Sequence, residues 1–246
     1  MTQPQLTGVY GKLPAYGDFL HRNLPDGFLT PWDEWLQHYI GTSREQLGES
    51  WLDIYLTSPI WRFVISAGVL DNNPWAGIML PSVDRVGRYF PFSIALRLSR
   101  QSNPLLFMDE NKKWFGQMEE LALQALDEQL DIDELMTELS EAEASQEEMY
   151  LLNTESGESK TFHIDMVLNE QGPGTVYPYL LGSLLEKNYA SYSLWYTSGS
   201  ELVAPCFHCT QGLPAIRRIT AMLDGNWQGW GWNTPYFVQE NILTEE

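Results

Sequence analysis

Apolar residues form short unbroken runs in some parts of the chain and recur every three or four positions in others, so the two patterns predict different elements. The runs WRFVISAGV (61–69), WAGIMLP (75–81) and YFPFSIALRL (89–98) predict three successive strands. LDNNP, between the first two, is rich in turn formers and suits a hairpin. The second connection is residues 81–90, so the three strands read as an antiparallel meander. LTGVYGKL (6–13) predicts an earlier strand and PAYGDFLHRNLP the loop that leaves it. FHIDMVL (162–168) predicts a later strand, and YSLWYTSGSELVAPCFHCT (192–210) a hairpin turning at Ser198-Gly199-Ser200.

The helical period appears first in TPWDEWLQHYI, with Thr30 as N-cap, Pro31 at the first helical position and Asp33 at the third. Trp32, Trp35, Leu36, Tyr39 and Ile40 share one face of that helix. REQLGESWLDIYL (44–56) continues as a second helical piece, closed by Pro59. NKKWFGQMEELALQALDEQL (111–130) predicts a long helix with Trp114, Met118, Leu121, Ala122 and Ala125 on one side. A shorter acidic helix follows at 131–144, then a stretch without periodicity at 145–160 that reads as a mobile connection. YPYLLGSLLEKNY (177–189) and LPAIRRITAMLDG (213–225) predict two more helices, the latter stopped by Gly225. No internal repeat or linker is evident. Alternating helices and strands predict an α/β domain: a mixed, largely antiparallel sheet covered by helices on both faces. The expected organisation is one domain over 1–246 with an acidic helical excursion at about 119–158; a division into two subdomains near residue 145 is the alternative.

Charge sharpens this picture. The chain has 246 residues and a formal net charge of −19, which argues against nucleic acid and anionic membrane surfaces as partners. The charge is uneven. No Lys or Arg lies between Lys113 and Lys160, while 14 Asp and Glu fall between Glu119 and Glu158. The opening residues carry no basic segment followed by an apolar one, and no apolar run approaches the ~18 residues that span a bilayer. Two cysteines make no disulfide framework. These features lead us to expect a soluble cytoplasmic protein without direct membrane insertion.

The densest candidate chemistry is PSVDRVGRYFP (81–91). As an enzyme site, Ser82 would be a nucleophile, Asp84 a base, and Arg85 and Arg88 clamps for an oxyanion or phosphate. Acyl transfer needs a histidine oriented beside the serine and a strained G-x-S-x-G elbow, and this stretch has neither. The simpler expectation is that Asp84 pairs with an arginine and Gly87 supplies a backbone angle that other residues resist. GKLPAYGDF (11–19) fails as a phosphate loop, because its lysine precedes the second glycine. CFHC (206–209) lacks a second ligand pair for zinc, and residues i and i+3 of a strand face opposite ways. Structural cysteines, no metal and no cofactor are expected. The acidic run has no calcium-loop spacing and reads as a solvated face. NWQGWGWN (226–233) could stack a sugar or peptide but more simply caps the end of a core. Lys12, Asp18, Asp84, Arg85 and Arg88 are the candidates for a structural or partner-binding role.

In this order, GVYGKLPAYGDFL, SPIWRFVISAG and WAGIMLPSVDRVGRYFPFSIAL resemble the TagF proteins, accessory proteins of bacterial type VI secretion systems. SLWYTSGSE and GLPAIRRITAMLDG are more loosely similar to the family's later part, whereas 119–160 shows no matching pattern. The resemblance implies a cytoplasmic three-layer α-β-α sandwich without enzymatic activity that represses secretion post-translationally. It further implies action through a forkhead-associated (FHA) scaffold protein, alongside or apart from a Ser/Thr kinase–phosphatase pair. The competing expectation is a hydrolase or phosphoprotein-processing enzyme centred on Ser82, Asp84, Arg85 and Arg88.

Overall fold

The computed structural model describes residues 6–145, 172–234 and 236. In chain order its strands are β1 (Thr7–Gly11), β2 (Leu20–Arg22), β3 (Trp61–Ile65), β4 (Trp75–Leu80), β5 (Phe92–Arg97), β6 (Tyr192–Thr197) and β7 (Cys206–Gln211). They form one seven-stranded sheet in the spatial order β2-β1-β5-β4-β3-β6-β7. Every pairing is antiparallel, which corrects the expectation of a mixed sheet. The reason is topological. Strands β2 and β3 run in the same sense across a helical connection, but β1, β5 and β4 lie between them.

The meander β3–β4–β5 forms as expected, with Phe63 opposite Gly77 and Ile78 opposite Ile94. All six residues of β4 are buried, which explains why its sequence shows no polar alternation. β2 was not anticipated. It is three residues long and buries only Leu20, too little to leave a pattern in the sequence.

The helices are α1 (Asp26–Leu47), α2 (Trp51–Leu56), α3 (Pro104–Glu110), α4 (Lys112–Leu126), α5 (Ile132–Glu141), α6 (Tyr177–Tyr189) and α7 (Ala221–Asp224). α1 starts one turn earlier than expected, behind Pro25, so Thr30 is not its cap and Pro31 lies inside it. The extra turn carries Phe28, whose ring packs 5.6 Å from Trp32 and 4.5 Å from Trp75. Burying that ring offsets the single backbone hydrogen bond that Pro31 cannot donate. α3 was also unforeseen; the Asn103 side chain caps it by accepting from Leu105 and Leu106 N–H. The helix expected at 213–225 is broken into a 3-10 turn, Ile216–Arg218, and the short α7, closed by Gly225 at φ 71°. The connection expected at 145–160, apart from Ser145, and the strand expected at 162–168 lie outside the described residues.

Side chains on the sheet alternate between two buried clusters. Val9, Ile78, Leu80, Phe92, Ile94 and Leu194 pack with Phe115 and Met118 of α4 and Leu135 and Leu139 of α5. Trp61, Phe63, Trp75, Met79 and Trp195 pack with Trp32, Trp35 and Leu36 of α1, Tyr55 of α2 and Met222 of α7. No described helix is long and apolar enough to cross a membrane.

Candidate functional site: a charged corner at one end of the sheet

β1 and β5 are antiparallel neighbours with Tyr10 opposite Ser93, so β1 ends where β5 begins. The loop leaving β1 (12–19) and the loop entering β5 (81–91) therefore meet at one end of the sheet. The second loop is itself a small hairpin. Val83 bridges Tyr89, the Asp84 N–H donates to the Arg88 carbonyl at 3.1 Å, and the Gly87 N–H donates to the Asp84 carbonyl at 2.9 Å. Gly87 sits at φ 85°, left-handed backbone that favours glycine, as expected for this position.

Asp84 is the centre of the corner. Its Oδ1 accepts the N–H groups of Val86 (3.0 Å) and Arg88 (2.9 Å), and its Oδ2 accepts Lys12 Nζ (2.9 Å) and Arg88 Nε (2.6 Å). The residues Lys12 and Asp84 are 4% and 3% exposed. Burial alone would raise the Asp84 pKa. The Arg88 N–H, the Lys12 ammonium, the Arg88 guanidinium and the Val86 N–H outweigh it and hold the carboxyl well below the usual range. Lys12 follows Gly11, whose φ is 133° and where a Cβ would stand 2.1 Å from the Pro91 carbonyl oxygen, so glycine permits the close approach of the two loops here. Its Nζ lies 4.7 Å from the centre of the Phe19 ring, which in turn meets Phe90 edge-on at 4.8 Å.

The two loops are stitched together by further bonds. Arg88 Nη2 donates to the Gly17 carbonyl at 2.6 Å, and the Arg85 N–H donates to the Tyr16 carbonyl at 2.8 Å. Ser82 is 2% exposed, and its hydroxyl donates to the Lys12 carbonyl at 2.6 Å. The Tyr55 hydroxyl donates to the Ser82 carbonyl (3.0 Å) and accepts the Ser82 N–H (2.9 Å). Burial pushes the Tyr55 phenol well above its ordinary pKa, so it stays protonated for that bond.

Among the sequence candidates, the structure brings Lys12, Ser82, Asp84 and Arg88 together. Asp18 stands apart: it is exposed and accepts the N–H of Phe19 at 2.8 Å. The exposed Arg85 extends its guanidinium beside Gly17, 3.3 Å from where a Cβ would be. Sequence reasoning missed Tyr55, Tyr16 and the Gly17 carbonyl. Tyr55 lies in the expected helical piece 44–56 with no neighbour in sequence to mark it, and backbone acceptors leave no trace in residue identity.

Chemically, the corner neutralises a buried carboxylate with two cations. No corner hydrogen bond among the described residues involves a histidine, and Ser82 gives its proton to a carbonyl oxygen. No group of three or more His, Cys, Asp and Glu among the described residues is placed to hold a metal. Cys206 and Cys209 pack against opposite clusters, as their spacing implies. Burial pushes the Cys206 thiol up to about 11 and lowers His208 to about 4. His208 lies 4.3 Å from Trp227 and 4.9 Å from Trp232, so the Trp-Gly segment folds back over β7.

Residues 8–142 match the model of a family described as the TagF N-terminal domain, type VI secretion system-associated. The crystal structure of PA0076 from Pseudomonas aeruginosa PAO1 is similar to this chain with a TM-score of 0.76 and 29% sequence identity. The likeness covers 95% of this chain and 99% of that one. Among curated proteins no match is found.

Proposed function

The chain belongs to the TagF family, type VI secretion system-associated, and from that premise we propose that it is a non-catalytic cytoplasmic repressor of the secretion apparatus. It acts after translation by binding an FHA scaffold protein, and components of a Ser/Thr kinase–phosphatase pathway set when it does so. The observation that carries this reading is the family match over 8–142, which includes both loops of the corner. The corner's geometry supports the non-catalytic part. Ser82 is buried and spends its hydroxyl proton on the Lys12 carbonyl, while Asp84 already accepts four donors. A hydrolase would need that serine open to substrate and a base free to take its proton.

The reading makes Lys12, Asp84 and Arg88 the residues that hold the corner together, and Arg85 a residue free to meet a partner. The expected outcome is that deleting the gene raises secretion of type VI substrates and that purified protein binds the cytoplasmic part of the scaffold in calorimetry. Unchanged secretion, together with no scaffold binding even at low salt, sinks the proposal.

A further inference from the structure

Within the two stitched loops the charges are Lys12, Asp18, Asp84, Arg85 and Arg88, a net positive island on a chain whose total is −19. Inside it the roles divide. Asp84 is shared between Lys12 and Arg88, so one carboxylate faces two cations and the pair retains positive charge. The Arg88 side chain is 53% exposed, so part of that charge reaches solvent. Arg85 has no carboxylate within ion-pair distance among the described residues. Its backbone is nevertheless fixed, through its N–H to Tyr16 and through the buried Asp84 that precedes it. The guanidinium therefore springs from a rigid base beside Gly17, where the missing side chain leaves its flat face room.

Apolar surface lies within the same loops. Val86, at the hairpin tip between the arginines, is 66% exposed, and Phe19 is 41% exposed while seated on Phe90. A bulky apolar residue at a turn tip gains nothing from water, and the rigid loop beneath it lowers the entropy lost on binding. Arginine and aromatic anchors on a preorganised base are the composition that concentrates binding energy at protein interfaces. We propose that Phe19, Arg85, Val86 and Arg88 form a docking face for a carboxylate-bearing segment of a protein partner. Arg85 takes a carboxylate through its paired N–H groups, and Val86 and Phe19 cover the neighbouring apolar side chains. The face also has a polarity. The Tyr16 hydroxyl accepts the Ile132 N–H at 2.9 Å, which sets the acidic first turn of α5, with Asp133 and Glu134, beside the first loop. The partner segment must therefore place its carboxylates over the arginines and away from α5.

The inference deepens the scaffold-binding reading, and its test begins without the scaffold. A synthetic glutamate-rich heptapeptide with one central phenylalanine is titrated into the full chain and followed by amide NMR. The expected result is saturating shifts at Gly17, Phe19, Arg85, Val86 and Gly87, lost in Arg85→Glu while the remaining spectrum is unchanged. No shifts, or shifts that persist in Arg85→Glu, overturn the proposal. So does a stronger response of the same amides to a phosphothreonine peptide or to phosphatidylserine vesicles. With the scaffold's cytoplasmic part in calorimetry, Arg85→Glu weakens binding about tenfold or more, whereas Lys113→Glu, an exposed control, leaves it unchanged. Equal scaffold binding by wild type and Arg85→Glu overturns the docking face and leaves the repressor reading standing. An Arg85-dependent peptide response without wild-type scaffold binding does the reverse.

Discussion

The corner at the end of the sheet and the acidic helix α5 use charge in opposite ways. In the corner one buried carboxylate accepts four donors, two of them cationic side chains. Along α5, Asp133, Glu138 and Glu141 stand in solvent, with no ion pair among the described residues. Glu119 of α4 is the intermediate case, half-buried and clamped by Arg62 at 2.6 and 2.9 Å. The difference follows from desolvation. A charge taken out of water has to be matched, so it fixes where distant chain segments lie; a charge left in water fixes nothing locally and contributes only to the field around the protein.

The comparison is broken most severely at Asp84. Asp84→Ala leaves Lys12 buried without a counter-charge and deprives two backbone N–H groups of their acceptor, at a cost of about 3–5 kcal/mol. Urea denaturation at neutral pH measures it. Because the folded pKa of Asp84 lies below its unfolded value, the carboxylate's contribution is complete above about pH 4. It is lost as pH falls through the folded value. The stability gap between wild type and variant therefore narrows on acidification. A gap that is small at pH 7, or that widens in acid, contradicts the role assigned to the buried carboxylate.

Arg88→Ala is the milder cut. Asp84 keeps Lys12 and both backbone donors, the lost guanidinium was 53% exposed in its side chain, and solvent screens it. The Gly17 carbonyl loses its donor as well. A loss of about 1–2 kcal/mol is expected, visible as a lower urea midpoint with an unchanged slope. A loss as large as that of Asp84→Ala would mean that Arg88, and not Lys12, is the principal counter-ion.

These magnitudes also show which parts of the corner were legible in the sequence. Asp84 and Arg88 are four residues apart around a glycine turn, so their pairing is local and readable. Lys12 lies 72 residues from Asp84, and only the β1–β5 pairing brings them together. The same division runs through the fold. β3, β4 and β5 announce themselves because both faces are almost wholly buried and their apolar runs are interrupted only at Arg62, Ser93 and Arg97. α6 spans the residues its composition predicted. The start of α1 was hidden because Pro31 looks like a first helical residue, and the cause of the earlier start, Phe28 against Trp75, is a tertiary contact. The uniform antiparallel sense of the sheet was hidden for a related reason: it depends on which strands separate β2 from β3.

The smallest effect tests the other half of the comparison. Asp131 and Glu134 form a capping box at the start of α5, where negative charge is favoured by the helix dipole, so these two carboxylates are structural. Glu138 and Glu141 lie near the opposite end, where the dipole favours positive charge and the last turn carries none. Replacing both by lysine removes two exposed charges that have no ion pair among the described residues and places cations where the helix prefers them. Stability should therefore rise, by about 0.5 kcal/mol, although four units of charge have changed. If association with a basic partner surface is steered by this face, the same variant associates more slowly, and the difference between variant and wild type shrinks as salt approaches physiological strength. Stopped-flow association measures the second effect and urea denaturation the first. A stability loss above about 1 kcal/mol would show that these carboxylates hold structure as Asp84 does, and the contrast between the two regions would fail.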